Sequence, residues 1–326
     1  MKPRLLVLEL WGLGDLVIAT PFLRAAAERF DVTLIAKPFA NELRPRLWPE
    51  VTVENFIAPW TAFHGKYQVW RWPWRELWQL RRRLVAQKFD YALSARWDPR
   101  DHFLMQFSGA TERFGYARLK SQRYLTRGLP RPPALAHRYE HWREAGRALG
   151  LNLPAREEIL PLRRSHHSVA LIHSGARLPA RVWPLENFRR LAVQLRKKNY
   201  PVQIACDPDQ LAWWQANGET PANLRTVSGL LTHIDRAGIF IGNCSGPGHL
   251  AAICGVPTYT LYGPSMHEWF MPLHPHAEIF EGRACPYKPC SDYCRFEKPF
   301  CLHDVTAEEV WPHVETFAAK HLAATV

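Results

Sequence analysis

Ala237 to Ser265, AGIFIGNCSGPGHLAAICGVPTYTLYGPS, reads as strand, turn, helix, strand and turn. Gly238 and Gly242 bracket Ile239, Phe240 and Ile241, a run short and β-rich enough for a buried strand. Asn243 to Gly248 is a turn of small residues, His249 to Cys254 a compact helical run, and Thr258 to Leu261 the next strand, stopped by Gly263 and Pro264. Small residues at a strand's carboxyl end let a ligand approach the backbone, and free amides at the next helix start attract anions. A phosphate or pyrophosphate therefore fits beside Ser245, Gly246 and His249. A tight strand–helix turn with a buried histidine fits the same residues.

The pattern recurs outward from this stretch. Arg4 to Leu10 (RLLVLEL) suits a central parallel strand; WGLGD follows, then helical spacing from Leu16 to Phe30 and a second strand over Val32 to Ala36. This is a βαβ unit with its glycine turn at the carboxyl end of the first strand. Gly12-x-Gly14 loosely matches a dinucleotide fingerprint. The third glycine is missing, however, and strand two runs into Lys37 rather than an acid that could hold a ribose, which counts against a nicotinamide-dependent oxidoreductase. Asp15 in this turn is either the N-cap of the following helix or a general base at the lip of the sheet, where a helix start favours a carboxylate. Phe89 to Ser94 is another strand, closed by Arg96-Trp97-Asp98.

Leu149 to Ser168, with Pro154, Pro161 and the run RRSHHS, carries no periodic pattern and reads as a linker between domains 1–160 and 166–326. Val169 to Ile172 then opens the second half as a strand ending in His173-Ser174-Gly175-Ala176. Arg181 and Trp183-Pro184 precede an amphipathic helix over Leu185 to Lys198. Val202 to Ala205 and Leu224 to Val227 are further short strands, and Trp213 and Trp214 are expected to pack on the sheet. Asp207-Pro208-Asp209 spells the Asp-x-Asp of metal-dependent transferases, but it follows a strand remote from the other motifs and reads as a turn. A final helix spans 307–322.

At 326 residues, 47% hydrophobic and 22% charged, the chain is an ordinary globular protein with room for two cores. Its net charge of +12 is one-sided: residues 1–165 hold 28 Lys+Arg against 16 Asp+Glu, and residues 166–326 hold 14 of each. The first half should therefore face something anionic, such as a phosphorylated lipid surface or an acidic glycan. No zinc-finger, basic-zipper or RNP1-like signature supports nucleic acid. Glu9, Gly12, Gly14 and Asp15 interrupt the apolar N-terminus as a leader would not, and no apolar run is long enough to span a bilayer, so a cytoplasmic location is expected.

Trp60 to Leu84, WTAFHGKYQVWRWPWRELWQLRRRL, interleaves Trp60, Phe63, Tyr67, Trp70, Trp72, Trp74 and Trp78 with Lys66, Arg71, Arg75 and the Arg81–Arg83 cluster. Aromatic rings with a basic face suit a bilayer interface; a helix packed on the sheet with a solvated basic side has the same composition. Four of the seven cysteines, Cys285, Cys290, Cys294 and Cys301, cluster near the C-terminus. A structural zinc site, disulfides and buried thiols are all open, because the spacing lacks a CxxC pair.

Taken together, the start LELWGLGDLVIATPFLRAAA, the middle HSGARLPARVWPLENFRRLA and the later GNCSGPGHLAAICGVPTYTLYGPS resemble glycosyltransferase family 9, the bacterial ADP-heptose:lipopolysaccharide heptosyltransferases, over nearly the whole chain and in the right order. The resemblance implies an α/β GT-B fold, two Rossmann-like domains facing each other across a cleft, with the last helix crossing back to the N-terminal domain. It implies an inverting transferase without metal or cofactor that moves a heptose or related sugar from a nucleotide diphosphate, ADP-heptose first, to a lipopolysaccharide core or similar anionic glycolipid, in peripheral contact with the inner membrane. Asp15 takes the place of the catalytic base, with Gly12, Gly14 and Arg96 on the acceptor side. Ser174, Gly175, Arg181, Cys244, Ser245, Gly246 and His249 fall on the donor side. Two residues depart from the family pattern: Cys244 stands where an Asp precedes Ser-Gly, and Arg181 where a Lys is usual, which exchanges a point charge for a planar fork. Cys244 keeps a second expectation in view, a non-catalytic GT-B protein that binds a nucleotide sugar or anionic glycolipid.

Overall fold

The computed structural model describes residues 1–62, 66–162, 167–290 and 293–322, with the Asn223 side chain left out. Phe63 and the linker residues 163–166 lie outside the described residues. The chain divides into two units, Met1–Ala155 and Arg156–Val326, with the break inside the expected linker.

In the first unit β1 (Arg4–Glu9), α1 (Leu13–Ile18), α2 (Thr20–Arg29), β2 (Asp31–Ala36), α3 (Ala40–Leu47), β3 (Thr52–Asn55), α4 (Trp74–Gln87), β4 (Tyr91–Ser94), α5 (Pro99–Phe107), β5 (Glu112–Gly115), β6 (Arg127–Gly128) and α6 (Arg138–Ala148) follow in turn. The sheet is parallel throughout in the order β3-β2-β1-β4-β5-β6. β1 lies at its centre, and Leu5 to Leu8 are fully buried, as a strand covered on both faces requires. The single helix expected over Leu16 to Phe30 is two helices, and the first begins at Leu13. They part at Ala19 because Pro21, near the start of α2, has no N–H with which to continue the ladder.

The second unit repeats the plan with β7 (Val169–His173), α7 (Leu185–Lys197), β8 (Val202–Cys206), α8 (Leu211–Ala216), β9 (Ala222–Asn223), α9 (Val227–Ile234), β10 (Ala237–Asn243), α10 (Gly246–Ile253), β11 (Thr258–Tyr262), α11 (His267–Phe270), β12 (Ala277–Glu281), α12 (Phe300–His303) and α13 (Ala307–His321). Its parallel order is β12-β11-β10-β7-β8-β9. The strand expected over Leu224 to Val227 is not formed: Thr226 caps α9, its hydroxyl accepting from the Gly229 N–H at 3.0 Å, so Val227 opens a helix. Trp214 is fully buried, and Trp213 packs against the same core. The last helix, expected to return to the first domain, buries Val310, Val314 and Phe317 in its own unit's core, against α7 and β10.

Candidate active site

The first constellation gathers at the carboxyl edge of the first sheet. β1 ends at Glu9, and the chain turns through Trp11 into α1, which Gly12 caps. Asp15 is therefore not the N-cap. It sits at the third helical position, with Gly14 just before it, and its Oδ2 accepts from the Gly12 N–H at 3.3 Å. Its Oδ1 is ion-paired with Arg96, just beyond β4. The Arg96 Nε lies 4.0 Å from Glu9, and its guanidinium lies over the Trp11 ring at 5.1 Å. Burial works against the Arg96 charge, but Asp15, Glu9 and Asp101 outweigh it and hold the guanidinium above its ordinary value.

Three further titratable residues, none of them assigned from the sequence, complete the group. Burial lifts the Glu9 carboxyl to about 8 against the pull of Arg96. Burial, then the charge of Asp98, lifts Asp101 to about 7; Trp60 Nε1 donates to its Oδ1 at 2.8 Å and Ser94 Oγ to its Oδ2 at 3.4 Å. Arg138, on α6, stacks over Trp97 at 4.4 Å, and burial lowers it to about 10, with Arg96 adding repulsion. Glu9 was visible in the sequence as a charge closing an apolar strand. Arg138 gave no local signal, because only the folding of α6 brings it near Arg96. Two carboxyls of this group thus hold their protons up to near neutral pH. Asp15 is the reachable one, with 21% of its side chain exposed against 2% for Glu9.

The second constellation lies at the carboxyl edge of the second sheet. Ser245 is the N-cap of α10 and Gly246 its first residue, so the helix starts earlier than expected, right at the turn. An N-cap serine ordinarily accepts from an amide of the first turn. Here its side chain makes no cap bond, and Ser245 Oγ is shielded with no hydrogen-bond partner among the described residues. Ser265 Oγ, just beyond β11, and Arg181 Nε are in the same state. The Arg181 charge is felt at Tyr262 and at Cys290. Cys244 is buried against the Tyr262 hydroxyl, whose acidity is suppressed by burial first and by Cys244 second. His249 is buried within α10.

Ser174, expected on the donor, is fully buried and already committed: its Oγ donates to Gln210 at 2.7 Å and accepts from Trp214 Nε1 at 3.0 Å. Asn243, which the sequence reading passed over, donates from Nδ2 to the Ser174 carbonyl at 2.8 Å and accepts from the Trp183 N–H at 3.0 Å. Together they tie the ends of β7 and β10 to the loop that carries Arg181. Nor is Asp207 remote from the other motifs. β8 pairs with β7, and the Asp207 carboxyl packs against Gly175, within 2.3 Å of where a Cβ there would lie.

Cys285, Cys290, Cys294 and Cys301 do come together: they line one cavity of about 10 Å³ with Pro264 and Phe300, all as free thiols. Among the described residues no three His, Cys, Asp or Glu side chains are arranged to hold a metal ion.

A family model described as glycosyltransferase family 9 (heptosyltransferase) matches residues 77–300. Over 127 residues the chain is 31% identical to lipopolysaccharide heptosyltransferase 3 of Escherichia coli K12, a span of 36% of this chain and 37% of that protein. Little more than a third of that relative's length is therefore matched. Two solved structures share the fold. A family 9 glycosyl transferase of Veillonella parvula superposes with a TM-score of 0.75 at 18% identity, covering 98% of both chains. The E. coli heptosyltransferase WaaC, solved with ADP, superposes with a TM-score of 0.74 at 17% identity, covering 96% of this chain and 99% of that one.

Proposed function

The chain belongs to glycosyltransferase family 9, and from that premise we propose that it moves a heptose or related sugar from a nucleoside-diphosphate donor, ADP-heptose first, to a lipopolysaccharide core or similar anionic glycolipid, with inversion and without a metal ion. Asp15 accepts the proton of the acceptor hydroxyl as that oxygen attacks the anomeric carbon. The bond from that carbon to the diphosphate oxygen breaks, and the nucleoside diphosphate leaves with the electron pair. Arg96 and the Gly12 N–H hold one carboxylate oxygen each, which orients Asp15. The start of α10, Ser245 Oγ and Arg181 stabilise the charge growing on the leaving diphosphate. The ADP bound by WaaC motivates the choice of nucleotide.

The observation that carries this reading is the pairing of chemistries: one accessible carboxylate among buried, proton-holding neighbours in the first unit, and in the second an unpartnered hydroxyl, Ser245 Oγ, at a helix start with the unpartnered Arg181 Nε in another loop of that unit. Such separation of environments is how one group of carboxyls acquires distinct roles. The acceptor's anionic character accounts for the basic first half, and a glycolipid acceptor places the enzyme at the cytoplasmic face of the inner membrane as a peripheral protein. Among the described residues no helix is long and apolar enough to cross a membrane.

The buried Cys244, in place of the family's acid, favours a second reading, a protein that binds a nucleotide sugar or anionic glycolipid without transfer. One experiment separates the two. The protein is incubated with glycolipid extract and a panel of ADP-, UDP- and GDP-sugars, and products are sought by mass spectrometry. Transfer from one donor, lost in Asp15→Asn, is the expected result. Tight donor binding with no product from the wild-type protein establishes the second reading.

A further inference from the structure

Helix α4 buries Leu77, Leu80 and Leu84 in the core of the first unit. Its solvent side carries Arg75, Gln79, Arg82 and Arg83, but one strip of it is apolar. Trp74, Trp78 and Val85 fall at i, i+4 and i+11, on one strip, and are 43%, 54% and 40% exposed. Arginines border the strip, Arg75 and Arg82 along one side and Arg81 along the other. The apolar surface continues beyond the helix. Trp74 Nε1 donates to the Val69 carbonyl at 3.0 Å, fastening to the helix start a short turn that carries Trp70, 76% exposed, and Arg71. At its middle, Trp78 meets Phe107 of α5 at 5.4 Å, and Phe107 stacks on the exposed Phe103 at 5.5 Å. Arg81 lies over both Trp78 and Phe107, at 5.6 and 5.3 Å. Trp60 and Trp72, from the same stretch, turn inward instead, Trp60 to Asp101 and Trp72 against Trp60 at 5.3 Å.

A second apolar strip on a helix, continued onto neighbouring exposed aromatic rings, needs something to cover it. The geometry points to the headgroup layer of an anionic phospholipid bilayer, docked on the Trp70, Trp74, Trp78 and Phe103 surface with Arg71, Arg75 and Arg82 reaching lipid phosphates. The side-chain types favour this occupant over a protein: indole rings carry an apolar body and a polar N–H that suit headgroup depth, and guanidinium groups pair with phosphate. The charge agrees, since the whole excess of +12 lies in the half that carries this surface. The inference deepens the proposed function by naming the face that meets the lipid, and it is tested without donor or acceptor, so each can fail without the other.

The test is co-sedimentation of the full chain with vesicles of phosphatidylethanolamine and phosphatidylglycerol, against neutral phosphatidylcholine vesicles. Binding is expected to the anionic vesicles alone, and to fall away near 1 M salt, where the screening length is about 3 Å. The Trp74→Ser/Trp78→Ser and Arg75→Glu/Arg82→Glu variants should each bind at least about tenfold more weakly. Leu119→Ser, at a side chain 77% exposed in the same unit, should bind as the wild type does. Unchanged melting temperatures will show that the variants are folded. Failure to bind anionic vesicles, or equal binding by both double variants, overturns the inference. So does a wild-type dimer that Trp74→Ser/Trp78→Ser dissociates while vesicle binding persists, or binding that appears only when glycolipid acceptor is added to the vesicles.

Discussion

At the carboxyl edge of the first sheet, Glu9, Asp15, Arg96, Asp101 and Arg138 form one charged group whose members answer one another. At the same edge of the second sheet Arg181 Nε, Ser245 Oγ and Ser265 Oγ have no hydrogen-bond partner among the described residues. The strand orders are alike, so topology does not make the difference. The proposed proton acceptor, Asp15, is aimed by Arg96 and the Gly12 N–H and is reachable, while Glu9 and Asp101 beside it are buried. The proposed diphosphate cradle needs donors that no internal group has taken, and Ser245 Oγ and Arg181 Nε are such atoms among the described residues.

The harshest challenge to this contrast is Asp15→Asn. It should lower turnover by about a hundredfold or more while leaving the donor dissociation constant unchanged, because proton acceptance and the ion pair to Arg96 are lost but no group in the second unit is altered. Unchanged turnover would leave Asp15 a bracing residue for α1. Next in size, Arg181→Ala should weaken donor binding about ten- to a hundredfold, as loss of a charged hydrogen-bonding partner does, with little effect on acceptor affinity. Isothermal titration with the nucleoside diphosphate reads this directly. Ser245→Ala should cost about three- to tenfold in the same titration without lowering the melting temperature, since its hydroxyl makes no cap bond to lose. A drop in stability equal to that of an ordinary cap deletion would return Ser245 to the scaffold.

The smallest effect concerns stability and sharpens the first edge. Folded Glu9 keeps its proton up to about 8, whereas the unfolded chain releases it near 4.5. Between those values the folded state binds more protons, so stability falls as pH rises. Asp101 acts in the same sense, up to about 7. The wild-type melting temperature should therefore decline across this window, and Glu9→Gln should flatten the decline by on the order of 5 °C. Parallel curves for the two proteins would mean that Glu9 is ionised in the fold.

Much of this molecule is legible along the chain. RLLVLEL, VTLIA and AGIFIGN announce buried parallel strands, and the small-residue turns after the first and third, WGLGD and CSGPG, follow the carboxyl ends of β1 and β10. Where the reading slipped, a local competitor had been overlooked. Pro21 parts α1 from α2, Thr226 turns an expected strand into the cap of α9, and Gly12 takes the capping place given to Asp15. Within Trp60 to Leu84, the composition could not say which rings face outward. That depends on the phase of α4 against its core, which buries Leu77, Leu80 and Leu84 and leaves Trp74 and Trp78 to solvent.

The sequence by itself determined the two α/β units, the turns that hold Asp15 and Ser245, and the one-sided charge, because periodicity, turn chemistry and composition are properties of neighbouring residues. Only the tertiary structure decided that the Ser174 hydroxyl is taken up by Gln210 and Trp214, that Asn243 pins the loop that carries Arg181, and that Glu9, Asp101 and Arg138 gather around the Asp15–Arg96 pair. Whether a hydroxyl is free or a carboxyl keeps its proton depends on burial and on partners far off in the chain, and those exist only once the sheet has formed.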